Sequence, residues 1–411
     1  MARRMEAPEG WKISLLDSVT KRGSGHTPDK EHPEYWNGGI KWVSLADSHR
    51  LDAGTISETA KEISELGIAK SSAVVHPSGT VILSRHAGVG KSAVLDGDMA
   101  VSQHFIAWRC SSSLGLHNWF LYMWLQFNKR EFERQAVGST IKTIGLPYFK
   151  RLQICYPPYA EQSAIVDIIR TWDRAIETVE ALIANARAQK QALMQQLLSG
   201  KHRLPGFDDE WQRKPINEIA TRVTRRNDGT ELPVLTISST SGFVRQDEKY
   251  SRFMAGKSVD TYIVLNEGEF AYNKGNSKTY EFGCIFDLEG YARALVPHVY
   301  VCFKLKKGYS HRFYKALFEA DYLAPQLGQL VNTGVRNNGL LNIKPSEFLG
   351  TMVPVPPLDE QDAIAAVMEA ASRTVIEHEA QLTALRQEKA ALMQQLLTGK
   401  RRVKLPESEV A

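Results

Sequence analysis

The strongest constraint on this chain is that it repeats itself. Residues 157–203 and 356–402 align without a gap at a constant offset of 199, and 21 of the 47 positions are identical. Pro157-Pro158-x-x-Glu161-Gln162 returns as Pro356-Pro357-x-x-Glu360-Gln361, and Ala-Leu-Met-Gln-Gln-Leu-Leu at 192–198 returns letter for letter at 391–397. A repeat at a fixed period marks an internal duplication. The 411 residues are also too many for one ordinary core. Two globular domains, each closed by a copy of the repeat, are expected.

Inside the first copy, Ile165, Ile169, Trp172, Ile176, Val179, Ile183, Ala186, Leu193 and Leu197 recur at steps of four and three, with Lys190 filling the one remaining seam position. The second copy keeps the phase with Ile364, Met368, Ala371, Val375, His378, Leu382, Leu385, Lys389, Leu392 and Leu396. A heptad seam of this length predicts two coiled-coil helices of about 39 residues, roughly 58 Å each. Gly200 and Gly399 stand where a left-handed cap ends a helix. Lys190 and Lys389 either snorkel out of the seam or fix its register. His378 reads as a seam residue rather than a ligand.

Connectivity makes the helices antiparallel if they pack together. The expected fold is α+β: two globular domains separated by two long helices forming an antiparallel coiled coil, pseudo-twofold and near-circular. The segments are 1–156 (first domain), 157–200 (first helix), 201–355 (second domain), 356–400 (second helix) and 401–411, a tail returning to the first domain. The two globular segments correspond loosely. Each opens on a tryptophan (Trp11, Trp211), carries a strand-like stretch (80–85 and 269–274) and later an amphipathic helical stretch (118–132 and 311–323).

Composition, 43% hydrophobic and 24% charged, excludes a disordered or membrane class. The longest apolar run, Trp119 to Leu125, is too short to span a bilayer. The start shows no apolar signal core, so a cytoplasmic location is expected. Cys110, Cys155, Cys284 and Cys302 lack paired spacing and read as reduced structural residues. The net charge of +5 is unevenly placed. Residues 1–156 carry 19 Lys and Arg against 15 Asp and Glu, and residues 201–355 carry 21 against 17. The repeats are slightly acidic. Positive charge therefore lies on the globular segments, as suits a polyanion partner, although ordinary solvated surface would look similar.

No catalytic motif survives inspection. Ala87-Gly-Val-Gly-Lys-Ser92 resembles the end of a P-loop, but Arg85 stands where the first glycine belongs and a strand, not a helix, should follow. Tyr156-Pro-Pro-Tyr159 looks like the Asn/Asp-Pro-Pro-Tyr/Phe motif of amino-methyltransferases, yet tyrosine cannot accept the amino hydrogen bond as Asn or Asp would. It reads instead as a rigid extended approach to a helix. No metal-ligand spacing is present.

The polar loops suit binding, since Arg and Lys reach phosphates and guanine edges while Asn and Gln pair with adenine. Candidate DNA-binding residues are His26, Thr27, Ser48, His49, Arg50, Arg85, His86, Lys91, Ser92, Gln103, His104 and Lys142 in the first domain. In the second they are Asn273, Lys274, Asn276, Ser277, Lys278, Arg336, Asn337 and Asn338.

Two divergent domains alternating with repeats of the form Pro-Pro-x-x-Glu-Gln…Leu-Met-Gln-Gln-Leu-Leu-x-Gly-Lys resemble the specificity subunit of type I restriction-modification enzymes, over nearly the whole chain. The opening Trp11…Gly25-x-Thr27-Pro28 also looks like one of that family's target recognition domains. No Gly-x-Thr-Pro follows Trp211, so the second domain resembles a different recognition subtype.

The resemblance implies a non-catalytic subunit in which each domain reads one half of a bipartite, asymmetric DNA target. The helices would set the spacer and dock two methyltransferase subunits that use S-adenosylmethionine for adenine N6 methylation. Restriction subunits using ATP and magnesium could join them. No membrane is involved. A stand-alone methyltransferase or nuclease, or a coiled-coil scaffold without a nucleic-acid role, are the competing readings.

Overall fold

A computed structural model of the chain describes residues 6–249, 261–275, 277–331 and 341–405. The chain divides into two compact units, Met1–Glu180 with Gln381–Ala411, and Ala181–Ala380. The divisions fall inside the long helices, so each unit holds the first half of one helix and the last half of the other.

The first unit contains β1 (Lys12–Leu15), β2 (Lys21–Ser24), β3 (Trp36–Val43), β4 (Thr55–Ile56), β5 (Glu62–Ile63), β6 (Val75–His76), β7 (Val81–Ser84), β8 (Ser92–Leu95), β9 (Met99–Val101), β10 (Phe105–Arg109) and β11 (Gln153–Tyr156). They form sheets of order β2-β10-β7-β8-β4 and β5-β3-β9-β6, and β1 pairs antiparallel with β11. Strands β7 (Val-Ile-Leu-Ser) and β8 (Ser-Ala-Val-Leu) are buried at every position because both of their faces are covered. Val81, Leu83 and Val94 pack against Phe120, Leu121 and Leu125. Ile82, Ala93 and Leu95 pack on the opposite side with Val43, Met99 and Val101. The amphipathic stretch expected over 118–132 is two helices, Asn118–Phe127 and Lys129–Gln135. Asn128 separates them: its side chain turns back to the Trp124 carbonyl at 2.8 Å, competing with helix continuation.

The second unit contains β12 (Gln212–Pro215), β13 (Ala220–Val223), β14 (Leu235–Ser238), β15 (Gly242–Arg245), β16 (Ile263–Asn266), β17 (Phe270–Asn273), β18 (Cys284–Asp287), β19 (Arg293–Val296), β20 (Val301–Leu305) and β21 (Met352–Val355). Its main sheet has the order β13-β20-β17-β18, and β12 pairs with β21 as β1 does with β11. The helix His311–Glu319 lays Phe313, Tyr314, Leu317 and Phe318 on the core, with Phe270 and Phe303 stacked at 5.4 Å beneath. Here the helical stretch stops at Glu319, short of the expected residue 323.

The two long helices span Tyr159–Leu197 and Leu358–Leu396. They run antiparallel within each unit. In the first, Glu180 accepts from Arg386 at 2.6 Å and Asp173 pairs with Lys389. In the second, Arg187 pairs with Glu379. Ile165, Ile169, Val179, Ile183 and Leu197 are buried, while Trp172, Ile176 and Leu193 are half-buried. Ile364, Met368 and Leu396 are buried, with Val375, Leu382, Leu385 and Leu392 half-buried. His378 is also half-buried, and Lys389 meets a carboxylate rather than lying loose in the seam.

The conserved letters of the repeat join helix ends to domains. Gln162 donates to the carbonyls of Gly115 at 2.9 Å and Pro157 at 2.8 Å, and accepts from the His117 amide at 2.8 Å. Gln361 repeats this with the Pro356 carbonyl at 2.8 Å and the Ser310 amide at 2.9 Å. Glu161, buried, receives Arg402 through two bonds of 2.7 Å. Glu360, also buried, receives Arg203 at 2.6 and 2.7 Å and the Trp211 indole at 2.8 Å. Gly399 caps the second helix at φ 68°, and a Cβ there would lie 2.5 Å from Pro8, so conformation and space both require glycine.

Candidate nucleic-acid interface

In the first unit five separate segments are tied into one polar surface. The backbone of His26 donates to Val101 at 3.0 Å, and Thr27 hydrogen-bonds to Gln103. The Gln103–His104 turn between β9 and β10 meets the β7–β8 loop, where the Arg85 amide donates to the His104 carbonyl at 2.9 Å. His86 and His104 stand edge to face with centroids 4.9 Å apart. The 137–144 segment joins through a 2.8 Å bond between Thr143 Oγ1 and His86 Nδ1, and through the Ile144 amide on the Arg85 carbonyl at 2.9 Å. Lys91 reaches across to the Ser48 carbonyl at 2.9 Å, bringing in the 44–50 segment.

The exposed or half-exposed groups on this surface are His26, Thr27, Ser48, His49, Arg50, Arg85, His86, Lys91, Gln103, His104 and Lys142. Burial pushes the imidazoles of His86 and His104 below their usual pKa, and the Arg85 charge beside them adds to the shift. Both rings are therefore neutral near pH 7, able to donate from one nitrogen and accept at the other. The positive charge on this surface comes from Arg50, Arg85, Lys91 and Lys142. Ser92 lies elsewhere: its side chain is fully buried, and its hydroxyl accepts from Gln126 at 2.8 Å. Gln126 and Lys129 both bind Asp52 at 2.6 Å, so Ser92 belongs to a structural network.

The P-loop-like segment is a strand-to-strand hairpin. Gly88 (φ 94°) and Gly90 (φ 87°) make its turns, and the Gly90 amide is spent on the Ser84 carbonyl at 3.0 Å. Among the described residues no cluster of His, Cys, Asp and Glu could hold a metal ion.

Sequence reading took Asp47 only as part of a polar loop and missed both its structural role and the exposed pair Val137 and Ile141. Asp47 is fully buried and organises the 44–60 segment, accepting from the amides of Ser44 at 2.9 Å and Ala60 at 2.7 Å. Its three-residue spacing from Ser44, a capping box, was the available signal. Val137 and Ile141, in the same 137–144 segment as Lys142, are 73% and 59% exposed; no local pattern announces them.

In the second unit, Asn273 ends β17 and turns its side chain back to the Gly275 amide at 3.0 Å. Lys274 accepts from the Leu341 amide at 3.0 Å through its carbonyl. Ser277 caps a turn at Tyr280, and Lys278 is exposed. Asn276, Arg336, Asn337 and Asn338 lie outside the described residues.

Among the described residues no helix is long and apolar enough to cross a membrane. Residues 8–186 match the family model described as type I restriction modification DNA specificity domain. The type I restriction enzyme MjaIX specificity subunit of Methanocaldococcus jannaschii is 24% identical over 171 residues, 41% of this chain and 39% of that protein. The MjaVIII specificity subunit of the same organism is 21% identical over 97% of this chain and 95% of its own length. Similar solved structures include the type I restriction-modification S subunit from M. genitalium (TM-score 0.53, 14% identity, 96% and 97% of the two chains). The HsdS subunit from Thermoanaerobacter tengcongensis is another (TM-score 0.55, 17% identity, 96% and 98%). With its duplicated helices and divergent loop-bearing domains, the chain carries a segment similar to the type I restriction modification DNA specificity domain over residues 8–186, and it is similar to type I restriction enzyme specificity subunits over nearly its whole length.

Proposed function

We propose that each unit reads one half of a bipartite, asymmetric DNA target through its loop surface. The chain itself is non-catalytic. Its long helices set the spacer between the half-sites and dock two methyltransferase subunits, which bring S-adenosylmethionine and methylate adenine N6. In a full restriction complex, translocase subunits bring ATP and magnesium. The assembly works in the cytoplasm.

The observation that carries this reading is the convergence of Arg50, Arg85, Lys91, Gln103 and Lys142 from segments far apart in sequence onto one loop surface. Phosphate contacts from the cations would hold the duplex in register, and the neutral side chains would face base edges. The repeats preserve the lock residues while the loops differ between units, as expected if docking stays constant and the sequence read does not.

The test is a genome-wide map of N6-methyladenine in cells carrying the methyltransferase, with and without this chain. The expected result is one split, asymmetric motif that disappears with the chain. A map that does not change on its removal refutes the assignment.

A further inference from the structure

We propose that Val137 and Ile141 form an apolar wedge that enters the base stack of the half-site read by the first unit. The proposal rests on the reading of the adjacent loop surface as the DNA face. Single exposed aliphatic side chains are common on proteins. Here two of the most exposed ones share one short loop, at 73% and 59% exposure, on the rim of a polar, cationic surface.

The loop is built to present them. Val137 and Thr143 exchange backbone hydrogen bonds at 3.0 and 2.9 Å, which closes the five residues between them into a tight lobe. Gly138 turns the chain at φ 126°, where a Cβ would stand 2.4 Å from the Ile141 carbonyl. Thr143 and Ile144 then fasten the base of the lobe to His86 and Arg85 at 2.8 and 2.9 Å. The aliphatic pair is thus held on an anchored support beside Arg85, with exposed Lys142 next in sequence. Aliphatic side chains flanked by cations are the chemistry that partly unstacks a base step while holding the phosphates around it. A loosened step would also lower the cost of extruding an adenine for methylation.

The test uses the chain assembled with its methyltransferase subunit and a duplex carrying its mapped target, with 2-aminopurine placed in turn at each non-methylated position of that half-site. Wild-type complex should brighten the probe at one step, and Val137→Ser with Ile141→Ser should abolish that rise. The double variant should also weaken cognate binding about tenfold, the scale of one mismatched base pair, while leaving the salt dependence unchanged. Val137→Ile with Ile141→Leu should retain the signal, which separates a wedge from a folding defect. An unchanged signal in the serine variant overturns the wedge, as does loss of methyltransferase assembly instead of DNA distortion. Arg85→Ala and Lys142→Ala test the underlying DNA face. If they alter neither affinity nor its salt dependence, that reading fails as well, whereas failure of the serine variant alone leaves it standing.

Discussion

Glu161 and Arg402, 241 residues apart, meet in a two-bond fork with both distances at 2.7 Å, and Glu360 with Arg203 repeats the arrangement. All four residues are identical letters of the duplicated segment. Each glutamate takes its arginine from the other copy, so the tail of the second repeat closes the first unit and the tail of the first closes the second.

Arg402→Ala should therefore destabilise the first unit. The glutamate is buried and would be left unpaired, while the arginine is partly solvated, so a loss of about 2 kcal/mol is expected, below the range for wholly buried pairs. The urea midpoint would report it. Arg203→Ala should have a similar effect on the second unit, and a change under about 0.5 kcal/mol in both would show that the forks are dispensable.

A second pair of contacts has kept its place and changed its chemistry. Arg170 lies 4.6 Å over the Trp119 ring, and at the corresponding positions of the other unit Arg312 pairs with Glu369 at 3.1 Å. Trp119 and Arg312 are each the second residue of their helix, and 170 and 369 differ by the repeat offset. A double-mutant cycle on Trp119 and Arg170 should give a coupling of about 0.5–1 kcal/mol. Arg312→Glu with Glu369→Arg should recover most of what either reversal alone loses.

Acid should act in two opposite directions. Burial holds the His76 imidazole below its usual pKa, the Ser24 carbonyl it faces opposes the shift, and Arg109 adds to it. The unfolded chain therefore binds the proton first, so stability falls as pH drops below the ordinary value of 6.5 and levels off below the depressed folded value. His86 and His104 are depressed in the same direction, but phosphate nearby would favour their protonated forms. DNA affinity of the assembled complex should rise as pH is lowered through that range. His86→Gln with His104→Gln should flatten the affinity profile and leave the His76 stability profile in place.

Exchange of residues 1–156 for another such domain should alter one half of the methylation motif and preserve the other. Inserting four residues into each long helix adds about 6 Å of helix, which should widen the unread gap by one or two base pairs. Methylome sequencing reads both outcomes. A change in both halves, or an unchanged gap in an insertion variant that still assembles, contradicts the assigned division of labour.

The seam, its phase and its capping glycines were legible because they are periodic and local. The duplication exposed the glutamates and arginines as repeated letters but not their pairing, since crosswise partners lie 241 and 157 residues apart. The loop surface was legible only as a list of residue types. Its assembly depends on bonds between Thr27 and Gln103, Ser48 and Lys91, and His86 and Thr143, none of which leaves a local pattern. Ser92 looked like a loop residue because it follows a glycine-rich turn, yet it begins a strand and faces inward.

The two forks use the same glutamate–arginine pair, although Glu360 also receives the Trp211 indole. Glu161 has been synthesised long before Glu360 leaves the ribosome. A formed helix of 39 residues, about 58 Å long, would hold the glutamate and the arginine of one copy at opposite ends. The helix thus keeps the two ends of one copy apart, and each fork ties one copy of the repeat to the other.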